Sequence, residues 1–222
     1  MQLHIHELVR QLEADGFQLN ESKCKELRIS FSGSGSSVDH ITINDKQIEA
    51  VSSTKLLGVV VWDNIRWNGH LESICKKAAM CLYFLKQLRR AKVPPKDMLL
   101  FYTTCIRPVL EYACPVFHHS LPHYLCNELE MLQKRALRIM QPDLSYAEAL
   151  VALDITSLYE RRKALSNALF DQIVRDQSHK LHDLLPPRNE SIYCTRCQRY
   201  FKLPICKSCA TCSSEVLIVL CR

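Results

Sequence analysis

The sequence predicts an α+β chain, with small antiparallel β elements first and a mainly α-helical bundle after them. Three observations carry this. Up to Trp62 the apolar residues alternate or come in short β-branched runs, as strands require. From Asn68 they recur at helical spacing almost to the end of the chain. Two Ser-x-x-Glu signals, Ser145 with Glu148 and Ser157 with Glu160, read as capping boxes that open helices in the second part. The chain therefore divides into residues 1–62, residues 63–185, and a basic, cysteine-rich tail over 186–222 expected to have little order.

Composition sets the outer bounds. At 222 residues and 47% apolar, the chain is long enough to bury a core. A net charge of +6 permits a nucleic-acid partner without demanding one. No apolar run is long enough to span a bilayer and no secretion signal is present, so an intracellular chain, nuclear or cytoplasmic and without a membrane partner, is expected. Twelve cysteines are many. Without a secretion signal they are not expected to form a disulfide framework, and Cys75, Cys81, Cys105 and Cys114 read as small buried thiols on helices.

Taken in order, Ile5, Leu8, Val9 and Leu12 share one helical face, and Gly16 stands where a helix stop belongs, so residues 3–15 read as an amphipathic helix. Leu27, Ile29 and Phe31 alternate with Arg28 and Ser30, a half-buried strand. Gly33 to Ser37 reads as a flexible loop. Ile41 to Ile43 and Ile48 to Val51 flank the turn pair Asn44-Asp45 and read as an antiparallel ribbon. Leu56 to Trp62 is too short and β-branched for a helix. It reads as one buried strand, with Gly58 marking a bulge or a close backbone approach.

In the second part Leu71, Ile74, Ala78, Leu82, Leu85 and Leu88 line one helical stripe. Pro94-Pro95 stops that helix and starts the next. Met98, Leu99, Phe101, Tyr102, Cys105 and Ile106 make the next helix apolar over a wide arc, so it should be the most buried, and Pro108 should kink or end it. Leu125, Leu129, Leu132, Ala136 and Ile139 form a further stripe. The two Ser-x-x-Glu signals then open a short helix to about Leu153 and a longer one from Leu158 to Val174.

Several of these segments resemble, in the same order, a known family. Lys55, Leu57, Gly58 and Val59 followed by Trp67 and His70 resemble a K-x-L-G-V and W-x-x-H pattern. Tyr102, then Ile106 to Ala113, then Pro115-Val116 resemble Y-x-x-x-I-R-P-x-L-E-Y-A-x-x-V, with Phe117 where a tryptophan is usual. Leu129 to Ile139, and Leu150 to Leu158 with Arg161-Arg162, follow the same text. The family is the reverse transcriptase of non-LTR, LINE-type (jockey-like) retrotransposons, and the match covers the end of its palm, its thumb and a short tail. The resemblance implies a primer-grip strand at Leu57, Gly58 and Val59 and a helical thumb after it. It also implies that the chain lacks the Asp-Asp pair that holds the catalytic metals, since no such pair occurs here, and so is not itself an enzyme and needs no cofactor.

The activity left by that reading is weak, sequence-independent binding to the backbone of an RNA–DNA or DNA duplex. Its candidate contacts are Lys76, Lys77, Arg89, Arg90, Arg107, Lys134, Arg135 and Arg138, because cationic side chains on helix faces position phosphates without reading bases. Lys86 and Lys96 read as a solvated helix face, and Arg107 is equally well an ion pair with Glu111 across the proline kink. A helical module that binds protein is the alternative, or the product of a decayed element. The tail pairs Cys194 with Cys197 and Cys206 with Cys209, with Cys212 beyond, a spacing that can hold zinc, although no metal ligand is assigned. His118, His119 and His123 read as loop residues.

Overall fold

The structure is a computed structural model that describes residues 2–29 and 40–187, together with the backbone of 216–220. The chain divides into two compact units, Met1–Gly69 with Ile205–Arg222, and His70–Pro204. Its fold is α+β, as the sequence predicts. The loop expected at 33–37 and the tail cysteines lie outside the described residues.

In the first unit helix α1 (Gln2–Ala14) ends where the glycine signal placed it. Gly16 has φ +80°, the Phe17 amide reaches the Leu12 carbonyl at 2.8 Å, and the Gly16 amide reaches that of Glu13 at 3.0 Å. The helix face is narrower than its periodicity suggests. Ile5 is buried, Val9 and Leu12 are half-buried, and Leu8 is exposed. Ile5 packs with Cys24, Ile41, Ile43 and Ile48 into a small cluster bordered by Val9 and Leu19.

Strand β1 (Lys25–Ile29) carries Leu27 and Ile29 into the interior. Strands β2 (Thr42–Ile43) and β3 (Lys46–Gln47) form a hairpin across Asn44-Asp45, both with positive φ, as a two-residue turn of this hand requires. The ribbon expected between 41–43 and 48–51 is therefore shorter. Its second arm breaks away at β4 (Glu49–Val51), which pairs in parallel with β1, Leu27 opposite Val51.

The largest departure from the sequence reading lies at residues 53–62. The apolar run is not one strand but two, β5 (Ser53–Leu56) and β6 (Val59–Trp62), paired antiparallel with Leu56 opposite Val59. Leu57 and Gly58 form the turn between them, with φ +46° and +90°. Gly58 is thus neither a bulge nor a close approach. It is the residue that lets the chain reverse.

In the second unit α2 (Asn68–Arg90, its first two residues in the first unit) buries Leu71, Ile74, Ala78, Leu82 and Leu85 of the expected stripe, with His70 added, while Leu88 and the thiols of Cys75 and Cys81 are only half-buried. The Lys92 amide bonds to Arg89 and that of Val93 to Leu88, closing the helix on Lys92 at φ +58°. After Pro94, α3 (Pro95–Phe101) runs into a π-helical segment over Tyr102–Ile106 and then α4 (Arg107–Glu111). Pro108 neither ends the helix nor stands at its limit. The wide turn before it, in which the Arg107 amide bonds to Tyr102, accommodates a residue that has no N–H to donate. The buried arc is also narrower than predicted. Met98, Tyr102, Ile106 and Leu110 form a single row at four-residue spacing, while Leu99 and Phe101 are half-buried and Cys105 is exposed.

A short helix, α5 (Cys114–Phe117), and a 3-10 turn (His118–Ser120) lead to α6 (His123–Met140). His118, read from sequence as a loop residue, is buried. Helix α6 buries Leu125, Leu129, Leu132, Ala136, Leu137 and Met140, with Ile139 only half-buried. Helix α7 (Tyr146–Ala152) opens with a full capping box. The Glu148 amide donates to Ser145 Oγ at 3.3 Å, and the Ser145 amide donates to Glu148 at 2.8 Å. Helix α8 (Leu158–Arg175) forms only the serine half of its expected box, Ser157 Oγ accepting from the Glu160 amide. Within residues 216–220, assigned by sequence to the tail, β7 (Val216–Leu220) pairs antiparallel with β1 in the first unit.

Candidate functional site

The helical unit is pinned by polar groups at the centre of its apolar stripes. Gln133, on the buried face of α6, accepts from the Tyr102 hydroxyl at 2.6 Å. Its amide donates to the Tyr146 hydroxyl at 3.0 Å and to the Thr156 carbonyl at 2.9 Å. One turn back, Glu130 accepts from the Tyr146 hydroxyl and from the amides of Leu158 and Tyr159 at 3.2 and 2.9 Å. A carboxylate of α6 thus satisfies the free N–H groups at the start of α8, where the helix dipole favours negative charge. Burial pushes the Tyr102 and Tyr146 hydroxyls well above their usual pKa, so both remain proton donors at neutral pH. These bonds set the angle and register of α6 against its neighbours, and with them the direction in which its outer face points.

That outer face carries Lys134, Arg135 and Arg138. Arg135, Arg138 and Ile139 form one wall of a cleft, and Ala79, Leu82, Tyr83 and Lys86 of α2 form the other. Its floor is apolar and its rim cationic. The Arg89 guanidinium donates to the Ile139 carbonyl and so ties the two helix ends together beside the cleft. A second, more polar cleft lies on the other side of α6, lined by Lys134, Leu137, Arg138, Pro142, Leu144, Tyr146 and Ala149. Arg138 lines both.

Of the residues expected from sequence to contact phosphate, the structure brings Arg135 and Arg138 together at the first cleft. Arg90 lies one turn beyond Lys86 on the same helix, and Lys77 is exposed further up α2. Lys76 is paired with Glu72 at 2.6 Å. Arg107 lies 3.6 Å from Glu111, which Arg161 also approaches at 3.0 Å, so the ion pair across the proline is the arrangement formed. Lys134 sits 5.3 Å above the Tyr146 ring, a cation–π contact. Leu57 and Gly58 form the β5–β6 turn in the other unit, with Leu57 85% exposed, and Val59 is the buried first residue of β6.

Sequence reasoning missed Lys86, set aside as a solvated face, and Tyr83. The available signal was their three-residue spacing on α2, which puts both on the face that also presents Ala79. It also missed Gln133 and Glu130. A glutamine in phase with Leu129, Leu132 and Ala136 was the clue that a polar group is buried there. Arg162 is wholly buried, its Nε donating to the Leu158 carbonyl at 3.3 Å, and burial lowers its pKa from the usual value. No group of three or more histidine, cysteine, aspartate or glutamate side chains among the described residues is placed to hold a metal ion.

The fold and site define a class: an α+β chain whose helical unit presents a cationic, apolar-floored cleft between two helices. A family described as alkylated DNA repair protein alkB homolog 8, N-terminal, matches residues 67–107. That segment covers α2, α3 and the π-helical turn, less than half of the chain, and does not by itself assign the chain to the family. No curated protein and no solved structure matches the chain. The matching family is not a reverse transcriptase, so the reading of this chain as the palm end and thumb of a LINE-type retrotransposon polymerase is corrected. The physical basis of the error is that the likeness rested on short motifs. One of them, Leu57-Gly58-Val59, reads as part of one buried strand, whereas Leu57 and Gly58 form a hairpin turn and Val59 opens the next strand. Among the described residues no helix is long and apolar enough to cross a membrane.

Proposed function

We propose that the chain is a nucleic-acid-binding module that holds the phosphate backbone of DNA or RNA on the α2–α6 cleft, without catalysing a reaction on it. The observation that carries this reading is the convergence of Lys86, Arg135 and Arg138 from two helices on one cleft. Guanidinium forks and an ammonium group at such a rim match phosphate oxygens and give binding without sequence preference. Among the described residues that line the cleft there is no carboxylate, histidine or cysteine, and those present offer phosphate contacts. The net charge of +6 supports the same partner class, as does the DNA-repair description of the family matched over 67–107.

Fluorescence anisotropy with labelled oligonucleotides over a salt series tests the reading. Three phosphate contacts give a log–log slope of roughly −2.1 to −2.7, so affinity should fall roughly twenty- to fortyfold between about 50 and 200 mM salt. Arg135→Ala with Arg138→Ala should flatten the slope by about one to two, equally for unrelated sequences. Salt-insensitive binding, or an unchanged slope in the double variant, would refute the proposal.

A further inference from the structure

The cleft holds more than cations, and its remaining chemistry selects a form of nucleic acid. Ala79, Leu82 and Ile139 give it an apolar floor, and the Tyr83 ring forms part of one wall. Tyr83 is 59% exposed and meets the neighbouring Phe84 edge to face at 5.8 Å between centroids, an arrangement that holds the ring's orientation while leaving much of it open to solvent. Met80, also exposed, precedes Tyr83 by three residues. Exposed aromatic and aliphatic surface beside arginines is costly to leave in water and marks a binding face. A site for duplex phosphates alone needs only the cationic rim, because a duplex keeps its base faces stacked inside. An unpaired strand offers both a charged backbone and free π-faces.

Resting on the phosphate-binding reading above, we propose that the α2–α6 cleft takes single-stranded nucleic acid. One base stacks on Tyr83 over the apolar floor, and the flanking phosphates lie against Lys86, Arg135 and Arg138. The second cleft does not serve as the stacking site, because Lys134 already covers its aromatic ring, Tyr146. The strand runs along the α6 ridge at Arg138, which borders both clefts, with its base turned towards α2. Since every base has a π-face, adenine and uracil strands bind alike, as RNA or DNA.

The test compares short labelled single strands, oligouridylate and oligoadenylate in RNA and DNA form, with a duplex of the same length. The proteins are the wild type, Tyr83→Ala, Tyr83→Phe, and the Arg135→Ala/Arg138→Ala pair. Loss of one stacked base should weaken single-strand binding in Tyr83→Ala by roughly five- to 150-fold, with duplex binding unchanged within about twofold. Tyr83→Phe keeps the ring and should bind like the wild type. Equal loss in the phenylalanine variant would mean a hydroxyl contact and would overturn stacking, as would equal loss of duplex binding. If Tyr83→Ala has no effect while the arginine pair weakens both strand forms, the stacking proposal fails and the phosphate reading stands. If neither changes binding, both fail.

Discussion

The two units of this protein are stabilised differently. The helical unit buries continuous stripes of large side chains and threads a hydrogen-bonded polar chain through them, from Tyr102 through Gln133 and Tyr146 to Glu130 and the start of α8. The β-containing unit buries a cluster of small extent around Ile5, Cys24, Ile41, Ile43 and Ile48, and its strands are two to five residues long. Both units place non-glycine residues in left-handed backbone, Lys92, Ala113 and Asp154 in the helical one, but among the described residues it is the β-containing unit that does so with large apolar side chains, Leu57 in a hairpin turn and the β-branched Ile65 just before α2. A left-handed conformation costs such residues about 1–2 kcal/mol each. The difference teaches that here the burial-rich unit can carry a polar network, while the unit with little buried apolar surface depends on turns that its own sequence only partly favours.

The largest predicted effect lies in the polar chain. Gln133→Leu removes the acceptor for the buried Tyr102 hydroxyl and the donor to the Tyr146 hydroxyl and the Thr156 carbonyl. Tyr146 keeps its bond to Glu130, so three hydrogen bonds are lost and the Tyr102 hydroxyl is left buried without an acceptor. It should destabilise the helical unit by about 3–5 kcal/mol, read as a lower midpoint in urea unfolding followed by far-ultraviolet circular dichroism. A loss below about 1 kcal/mol would mean that the network is ornamental and the contrast between the units is wrong.

Acid should probe the same unit through its buried histidines. Burial, aided by the nearby Arg162 and His119, lowers the pKa of His118 to about 4, outweighing the opposing pull of Glu160. His70, packed edge to face against Phe117 at 5.2 Å, is lowered chiefly by burial as well. Between pH 6.5 and about 4 the unfolded chain binds more protons at His118 than the folded one. Stability is therefore complete above that window and is lost as pH falls through it, by about 2 kcal/mol for His118 alone once screening by solvent is discounted. In His118→Gln the unfolding free energy should become flatter with pH across the window. An unchanged slope would show that this histidine is not buried in the neutral form.

A smaller effect is expected at the start of α2. A Cβ on Gly69 would lie 2.4 Å from the Trp62 indole nitrogen, so Gly69→Ala must push the indole away although alanine is the better helix former. A net loss of about 1–2 kcal/mol in thermal denaturation is expected, whereas a gain would mean that the indole moves freely. The smallest effect is a gain. Leu57→Asn relieves the left-handed leucine at the β5–β6 turn and should stabilise the first unit by about 1 kcal/mol, seen as slower proteolysis of that unit. Faster proteolysis would show that the exposed leucine side chain holds the hairpin by contacts worth more than its backbone strain.

What the sequence determined by itself is the helical part, because a helix satisfies its own backbone within a few residues and shows its buried face as a 3.6-residue period. Leu71 to Leu85, Leu125 to Ala136, the glycine stop at Gly16 and the serine cap at Ser145 were all readable in this way. The β part was not, because a strand's partner is remote in sequence. Nothing in Glu49 to Val51 says that it will lie parallel to β1, and Leu57-Gly58 gives only half of the usual turn signal, so the hairpin was read as a strand. The site divides along the same line. The cationic residues of α2 and α6 were visible as a class, but which of them converge was decided by the packing of one helix on another. Glu111 holds Arg107, Glu72 holds Lys76 and the α6 end holds Arg89, while Arg135 and Arg138 face Tyr83 and Lys86 across a cleft that exists only once the two helices pack.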